Sequence, residues 1–188
     1  MNPFPPLPAW ESAHPFIVHF PIALLFVAFI PMVIGLVDWK RRWVWQVAGL
    51  LLLLLGTAGA FVAVMSGEAT EHKLVVTSEV IEEAIEHHEH AGEFARTLAV
   101  AATALFVVVL GLGAGLKKGK GRRIAVAIGA LAFAGVYGFA LSRLAWAGHR
   151  GGELVHAYGV RAPMAPSEAM ISPATADDDE EAGEGVDD

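Results

Sequence analysis

Residues 43–65 read WVWQVAGLLLLLLGTAGAFVAVM, and this run without a charged side chain decides the fold. A helix rises about 1.5 Å per residue, so a run of this length crosses the roughly 30 Å of hydrocarbon in a bilayer. Three further runs, at 16–37, 94–116 and 124–147, share its length and its low charge. In lipid the backbone must satisfy its own hydrogen bonds, and none of these runs alternates as a barrel strand does. The sequence therefore predicts an all-α integral membrane four-helix bundle in residues 1–160.

The composition agrees with a membrane protein and excludes several classes of function. Of the 188 residues, 55% are hydrophobic and 18% are charged, and the mean hydropathy is +0.52, as in membrane proteins. The chain has no Cys, which excludes disulfides, thiolate metal sites, iron–sulfur clusters and covalently attached haem. A net charge of −7 argues against nucleic acid as a partner. No Ser lies beside a His at a spacing that would activate it, so a redox or structural membrane subunit is expected rather than a stand-alone enzyme.

Basic residues indicate the orientation in the membrane. They concentrate in the first and third connections between the apolar runs, at Lys40, Arg41, Arg42, Lys117, Lys118, Lys120, Arg122 and Arg123. Short connections rich in Lys and Arg stay in the cytoplasm. We therefore expect both termini and the long second connection on the non-cytoplasmic side of the cytoplasmic membrane.

The second connection is expected to be helical, and the C-terminus is not. Thr77 or Ser78 is placed to cap a helix whose first turn carries Glu79 and Glu82, which favours an early start of the third helix. Residues 161–188 contain an acidic run without apolar periodicity, so they are predicted to be a disordered acidic tail.

Small residues give two further expectations for the fourth run. Ala130, Ala134, Gly138 and Ser142 recur at four-residue spacing and predict a packing face against a neighbouring helix. The glycine-rich stretch 148–159 predicts either positive φ angles or close backbone approach, and hence a defined turn. Such a turn would bring His149 and His156 towards His19.

All eight histidines fall on the non-cytoplasmic side of this topology. They are His14, His19, His72, His87, His88, His90, His149 and His156. His19 lies about one turn inside the first run, where an imidazole needs either a ligand or a neighbouring backbone carbonyl. His19, His88 and His149 are the first candidate ligand set for a metal, with His14 beside them. The alternative ligand set is Glu83, His87 and His90, which share one helical face. The other interpretation of this face is that it is simply solvated.

Arg96 and Arg143 are the charged residues inside the predicted spans, both near the non-cytoplasmic end. Intramembrane charges are functional candidates, although residues this close to the interface also extend towards the headgroups. As functional residues, they would anchor an anionic group such as a haem propionate or a lipid phosphate.

Two motifs resemble a known family. The opening His14-Pro15-Phe16-Ile17-Val18-His19-Phe20-Pro21-Ile22-Ala23-Leu24 and the closing Gly148-His149-Arg150-Gly151-Gly152-Glu153-Leu154-Val155 are similar to the bacterial membrane proteins of domain of unknown function 2231. The resemblance covers about residues 13 to 160. It implies a four-helix domain of the bacterial inner membrane, with relatives beside or fused to cytochrome c modules. By position, the family's histidines correspond to His14, His19, His149 and His88, with His87 as the alternative to His88. Relatives tend to have Tyr at the position of His156.

Three functions follow from these observations. The first is b-type haem binding and electron transfer, with His19 paired with His88 or with His149, and with cytochrome c-type or other respiratory proteins as partners. The second is a module that binds zinc, copper or iron without haem. The third is a non-catalytic structural subunit of a membrane complex or an oligomer, in which the histidines hold the helices together by hydrogen bonds.

Overall fold

The computed structural model describes residues 9–38, 40–74, 78–117 and 119–160, apart from the side chain of Glu11. Three features of the sequence analysis lie outside the described residues: Thr77 as a helix cap, Lys118, and the acidic tail.

Four long apolar helices build the described chain, as predicted. Each is long and apolar enough to cross a membrane: His14–Val37, Arg42–Glu71, Glu79–Gly115 and Lys120–His156. The described residues contain no strand. We call these elements the first span and the second, third and fourth helices. The last three extend well beyond the predicted apolar runs, because their polar ends continue the same hydrogen-bonded backbone outside the hydrocarbon.

Two prolines divide the first span. Its helical segments are His14–Ile17, His19–Val27 and Phe29–Val37, and a turn of 3-10 helix at Trp10–Ser12 precedes them. Each break falls three residues before a proline, at Val18 before Pro21 and at Ala28 before Pro31. A proline has no N–H for the carbonyl four residues earlier and its ring crowds that carbonyl. The first span is therefore interrupted twice.

The third helix begins early, as the acidic first turn predicted. Ser78 occupies the position before the helix, but its side chain does not cap the backbone. Glu79 and Glu82 lie in the first turn, where the positive end of the helix dipole favours carboxylates. The helix runs for 37 residues from there into the membrane.

The bundle consists of two helical hairpins. The first span packs along the second helix, the third packs along the fourth, and the second and third helices join the two hairpins. The first span and the fourth helix meet only over a short stretch, where the Tyr137 hydroxyl donates a hydrogen bond to the carbonyl oxygen of Leu25. The hydroxyls of Thr57 and Thr103 lie 2.9 Å apart between the second and third helices. These buried polar contacts join the hairpins within the hydrocarbon.

The prediction of a turn after the fourth span is wrong. The helix continues through the glycines to His156, and among the glycines of 148–159, all of them described, Gly159 alone has a positive φ angle, at 67°. The physical reason is close approach, the other use of glycine: a Cβ at Gly151 would lie 2.9 Å from Cε1 of His88. Glycine therefore admits a side chain from the third helix.

The small-residue stripe of the fourth helix is exposed, which corrects the prediction that it packs within the bundle. Ala130, Ala134, Gly138 and Ser142 all have exposed surfaces. The rotation of the helix instead turns inward the face on which Phe133 packs against Phe106 and Tyr137 donates a hydrogen bond to the first span. That buried face carries Phe133, Tyr137, Ala140, Ala147 and Leu154.

The two ends of the bundle differ in composition. We call the end with the start of the first span and the connection at 72–78 the histidine end, and the end with the connections at 38–41 and 116–119 the basic end. At the basic end, Asp38 accepts hydrogen bonds from the backbone N–H of Arg41 at 3.1 Å and from the indole N–H of Trp45 at 3.2 Å. The indole bond, followed by the backbone bond, holds the pKa of the Asp38 carboxyl below its usual range.

Candidate functional site

Two histidines meet at the histidine end. His14 begins the first span, and His88 lies on the third helix six residues before the predicted apolar run. Their ring centroids are 6.2 Å apart and the ring planes meet at 78°. Both side chains are partly buried. These two rings form the candidate site.

The ring of His14 is held by the second helix. Its Nδ1 lies 2.9 Å from the carbonyl oxygen of Ala63 and 3.1 Å from the hydroxyl oxygen of Ser66. Because a carbonyl oxygen only accepts, Nδ1 carries the proton. Ser66 is fully buried, and its hydroxyl donates to the same carbonyl at 2.8 Å. A Cβ at Gly67 would lie 3.1 Å from Cε1 of His14, so this glycine leaves room for the ring.

The fourth helix holds the ring of His88 in the same way. Its Nδ1 lies 3.1 Å from the carbonyl oxygen of Ala147, so Nδ1 is again the donor. Gly151, one turn further along the fourth helix, accommodates the ring. Each hairpin thus presents one imidazole whose orientation is set by the other helix of that hairpin.

This arrangement fixes the chemistry of both rings. A neutral imidazole that carries its proton on Nδ1 has a free lone pair on Nε2. In proteins, histidines that bind metals usually donate their second ring N–H to a backbone carbonyl or carboxylate in this manner. The site therefore offers two oriented nitrogen lone pairs, one from each hairpin.

The other candidate histidines lie elsewhere. His19 is exposed, and its Nδ1 is 2.6 Å from the carbonyl oxygen of Pro15, the local arrangement that the sequence analysis gave as the alternative to a ligand. His149 is exposed beside Trp146, with ring centroids 5.8 Å apart. Within the described ranges, no three His, Asp or Glu side chains form a group that could hold a metal ion. The structure brings His14 and His88 together and leaves His19 and His149 apart from them.

The alternative ligand set also remains on the surface. Glu83, His87 and His90 are exposed on the third helix. Their helical spacing is as predicted, but His88, between them in sequence, turns towards the bundle instead.

The two intramembrane arginines lie over aromatic rings on different helices. The guanidinium carbon of Arg96 is 5.2 Å from the ring centroid of Phe61, and Arg96 also contacts Glu93 at 3.4 Å. The guanidinium carbon of Arg143 is 5.5 Å from the ring centroid of Phe94. The two cations therefore occupy separate surroundings.

A small apolar cavity lies where the hairpins meet. Its volume is about 10 Å³, room for about one water molecule. Its lining comes from the first span and the third and fourth helices: Leu25, Ala95, Ala99, Tyr137, Ala140, Leu141 and Leu144.

Sequence reasoning missed the residues that hold the rings. Ala63 on the second helix and Ala147 on the fourth act through their backbone carbonyls, Gly67 through its small size and Ser66 through its hydroxyl. The available signal was the pair Ser66-Gly67 at the end of an apolar run, where a small polar residue beside a glycine permits close approach of a side chain from another helix.

Four apolar helices in two hairpins define the class, a four-span helical membrane protein. A family model described as "Predicted membrane protein (DUF2231)" matches residues 11–163. The chain belongs to this family, which confirms the resemblance of its two end motifs. No curated protein and no solved structure matches the chain.

Proposed function

We propose that the chain is a membrane protein that binds a transition-metal ion at its histidine end, with Nε2 of His14 and Nε2 of His88 as ligands. The single observation that carries the proposal is the hydrogen bond from each Nδ1 to a backbone carbonyl, at Ala63 and at Ala147. Both rings are thereby held in the tautomer that a metal ligand needs.

The distance between the rings supports a shared ion. Metal–imidazole bonds are about 2.0 Å long, so two rings on one ion have centres roughly 5 to 6 Å apart. The observed separation of 6.2 Å lies just outside this range, so an ion shared by the two rings would draw them slightly closer together. Imidazole nitrogen suits zinc, copper and iron, and two protein ligands leave coordination positions for water or for an exogenous ligand.

Haem b is the second candidate. The observation in its favour is that the two imidazoles come from opposite hairpins, as the two axial ligands of a bis-histidine haem would. Haem would also need room for a porphyrin between the two hairpins, whereas an ion needs only the space between the two rings. Electron transfer with a cytochrome c-type partner is part of this second candidate.

The test uses asparagine in place of each histidine. The side-chain amide of Asn keeps a donor near the position of Nδ1 but has nothing at the position of Nε2. We expect the purified protein, stripped with a chelator and reconstituted, to bind about one zinc, copper or iron ion by elemental analysis. His14→Asn and His88→Asn should lose that ion and still unfold cooperatively, at a lower temperature than the unmodified protein, whereas His149→Asn should keep it.

Three outcomes separate the candidates. Loss of a stoichiometric ion in both variants supports the ion site. Haem that is detected by a pyridine haemochrome assay and lost in both variants supports haem b instead. An unmodified protein that binds neither removes both proposals and leaves a structural role, in which the two histidines only join the helices.

The proposed orientation follows from the charges. We infer that the basic end faces the cytoplasm of a bacterial cell, because exposed Lys40, Arg41, Lys117, Lys120 and Arg123 surround it. Since the chain has no Cys, a single introduced Cys reports its own side. Lys73→Cys should react with a membrane-impermeant maleimide in spheroplasts, and Lys117→Cys only after lysis.

A further inference from the structure

Three arginines at the histidine end lie over aromatic rings. Arg96 lies over Phe61 at 5.2 Å and Arg150 lies over Trp146 at 5.0 Å. Arg143 lies over Phe94 at 5.5 Å. Cation–π contacts of this kind favour the position of a guanidinium but do not neutralise its charge.

Two of the three have a carboxylate partner. Arg96 pairs with Glu93 at 3.4 Å, and Arg150 pairs with Glu153 at 3.1 Å. For Arg143, no ion pair is found within the described ranges. Its Nε is buried and is the one such side-chain nitrogen or oxygen without a hydrogen-bond partner in the part of the chain that the structure describes.

An unpaired guanidinium is costly where Arg143 lies. The residue is four positions before the end of the predicted apolar run at 147, about 6 Å along the helix axis. A buried N–H without an acceptor carries the full cost of its lost hydration, and a charged group costs more than a neutral one. No acceptor or counter-charge for Arg143 is found among the described residues, so its guanidinium is open to pairing with an anion from outside them.

The surface beside Arg143 is open to lipid. Phe94, under the guanidinium, is 43% exposed, and Phe139, in edge contact with it at 6.2 Å, is 50% exposed. Both rings are apolar and face outward between the third and fourth helices. A ligand at this position would meet apolar surface and a cation together.

We propose that Arg143, with Phe94 and Phe139, binds the phosphate of an anionic phospholipid in the leaflet at the histidine end. The guanidinium would donate to the phosphate oxygens, and an acyl chain would lie against the two phenyl rings. Guanidinium matches phosphate because its planar fork forms parallel charge-assisted hydrogen bonds. The site is independent of the proposed metal site, because no residue is common to both.

The test compares two lipids and two matched variants in detergent. Binding of phosphatidylglycerol and of phosphatidylcholine is titrated by native mass spectrometry. We expect phosphatidylglycerol to bind more tightly to the unmodified protein, because its phosphate charge is not offset by choline. Arg143→Gln should weaken phosphatidylglycerol binding roughly tenfold, as expected for the loss of one charge-assisted contact. Arg96→Gln, which removes an arginine that already has a carboxylate, should leave the binding nearly unchanged.

Two results would overturn the proposal. One is an Arg143→Gln variant that binds phosphatidylglycerol as tightly as the unmodified protein. The other is competition by millimolar inorganic phosphate, which would show that a free anion rather than a lipid fills the site. If Arg143→Gln fails to unfold cooperatively, Arg143→Lys takes its place: a lowered affinity supports the site, since Lys lacks the planar fork of the guanidinium, and an unchanged affinity contradicts it.

Discussion

At the histidine end, the hydrogen bonds of His14 and His88 join residues that are far apart in the chain, whereas at the basic end those of Asp38 stay local. His14 bonds to a residue 49 positions away and His88 to one 59 positions away. At the basic end, Asp38 bonds to residues three and seven positions away. The first kind of contact exists only when the helices have packed, and the second forms within one connection.

The difference indicates how each end is specified. The connection at Asp38 needs only its own sequence, and its exposed cations favour the aqueous side of the membrane. The histidine end depends on the rotation of all four helices, because each ring must reach a carbonyl on the neighbouring helix. We therefore expect substitutions at the histidine end to affect stability more than those at the basic end.

The largest effect is expected for His88→Ala. The change removes the bond to Ala147 and leaves a void against Gly151, which should lower the free energy of unfolding by about 2 kcal/mol. His87→Ala is the matched control, because the neighbouring ring is exposed and should matter little. Thermal unfolding in detergent measures both. Equal melting temperatures for the two variants would show that the bond from His88 adds nothing to stability. The histidine end would then not be the more sensitive of the two ends.

Two adjacent glycines should respond with opposite signs. A methyl group at Gly151 would meet the His88 ring at 2.9 Å, whereas nothing lies within 4 Å of the same position at Gly152. Gly151→Ala is therefore expected to destabilise by about 1 kcal/mol. Gly152→Ala should stabilise by about 0.5 kcal/mol, because Ala favours the helix. Chemical denaturation gives both values, and a gain in stability for Gly151→Ala would contradict the observed packing.

Tyr137→Phe tests the region between the two ends. It removes the hydrogen bond to the carbonyl oxygen of Leu25, and within a membrane such bonds contribute about 0.6 kcal/mol on average. Tyr158→Phe is the control on a partly exposed ring outside the bundle. The comparison of the ends would need revision if Tyr137→Phe cost more than His88→Ala.

The smallest effect is expected at the basic end, for Asp38→Asn. Because the pKa of Asp38 is lowered in the folded protein, its carboxylate stabilises the fold at pH values above the pKa of this residue in the unfolded chain, about 3.9. This contribution to stability is lost as the pH falls through the lower pKa that Asp38 has in the folded protein. Thermal unfolding of the unmodified protein should therefore include an acid-dependent component that is absent from Asp38→Asn. Trp45→Phe removes the same indole bond, so the double variant should add little to either single change.

The number and positions of the spans followed from the sequence because they depend on local composition. Runs of apolar residues such as 43–65 have no other stable state in lipid. The continuation of the fourth helix to His156 did not follow, since glycines weaken an isolated helix and His88 packs against Gly151 only after the hairpins associate.

The candidate site was only partly accessible to the sequence. The one-sided distribution of histidines pointed to the end where His14 and His88 meet, and both residues were among the candidates. The sequence predicts a pair of His19 with His88 or with His149, because sequence gives the depth of a residue in an apolar run but not its neighbours on other helices. Which ring turns inward depends on helix rotation, and His19 turns outward.

The length of the third and fourth helices has a practical consequence for imaging. From Glu79 to Phe94 the third helix continues for about 22 Å before its apolar run begins, and the fourth helix continues past its own run to His156. A chain of 19.9 kDa is small for electron cryomicroscopy in a micelle. A helical fusion partner joined in phase to the fourth helix would give a rigid fiducial marker outside the detergent belt.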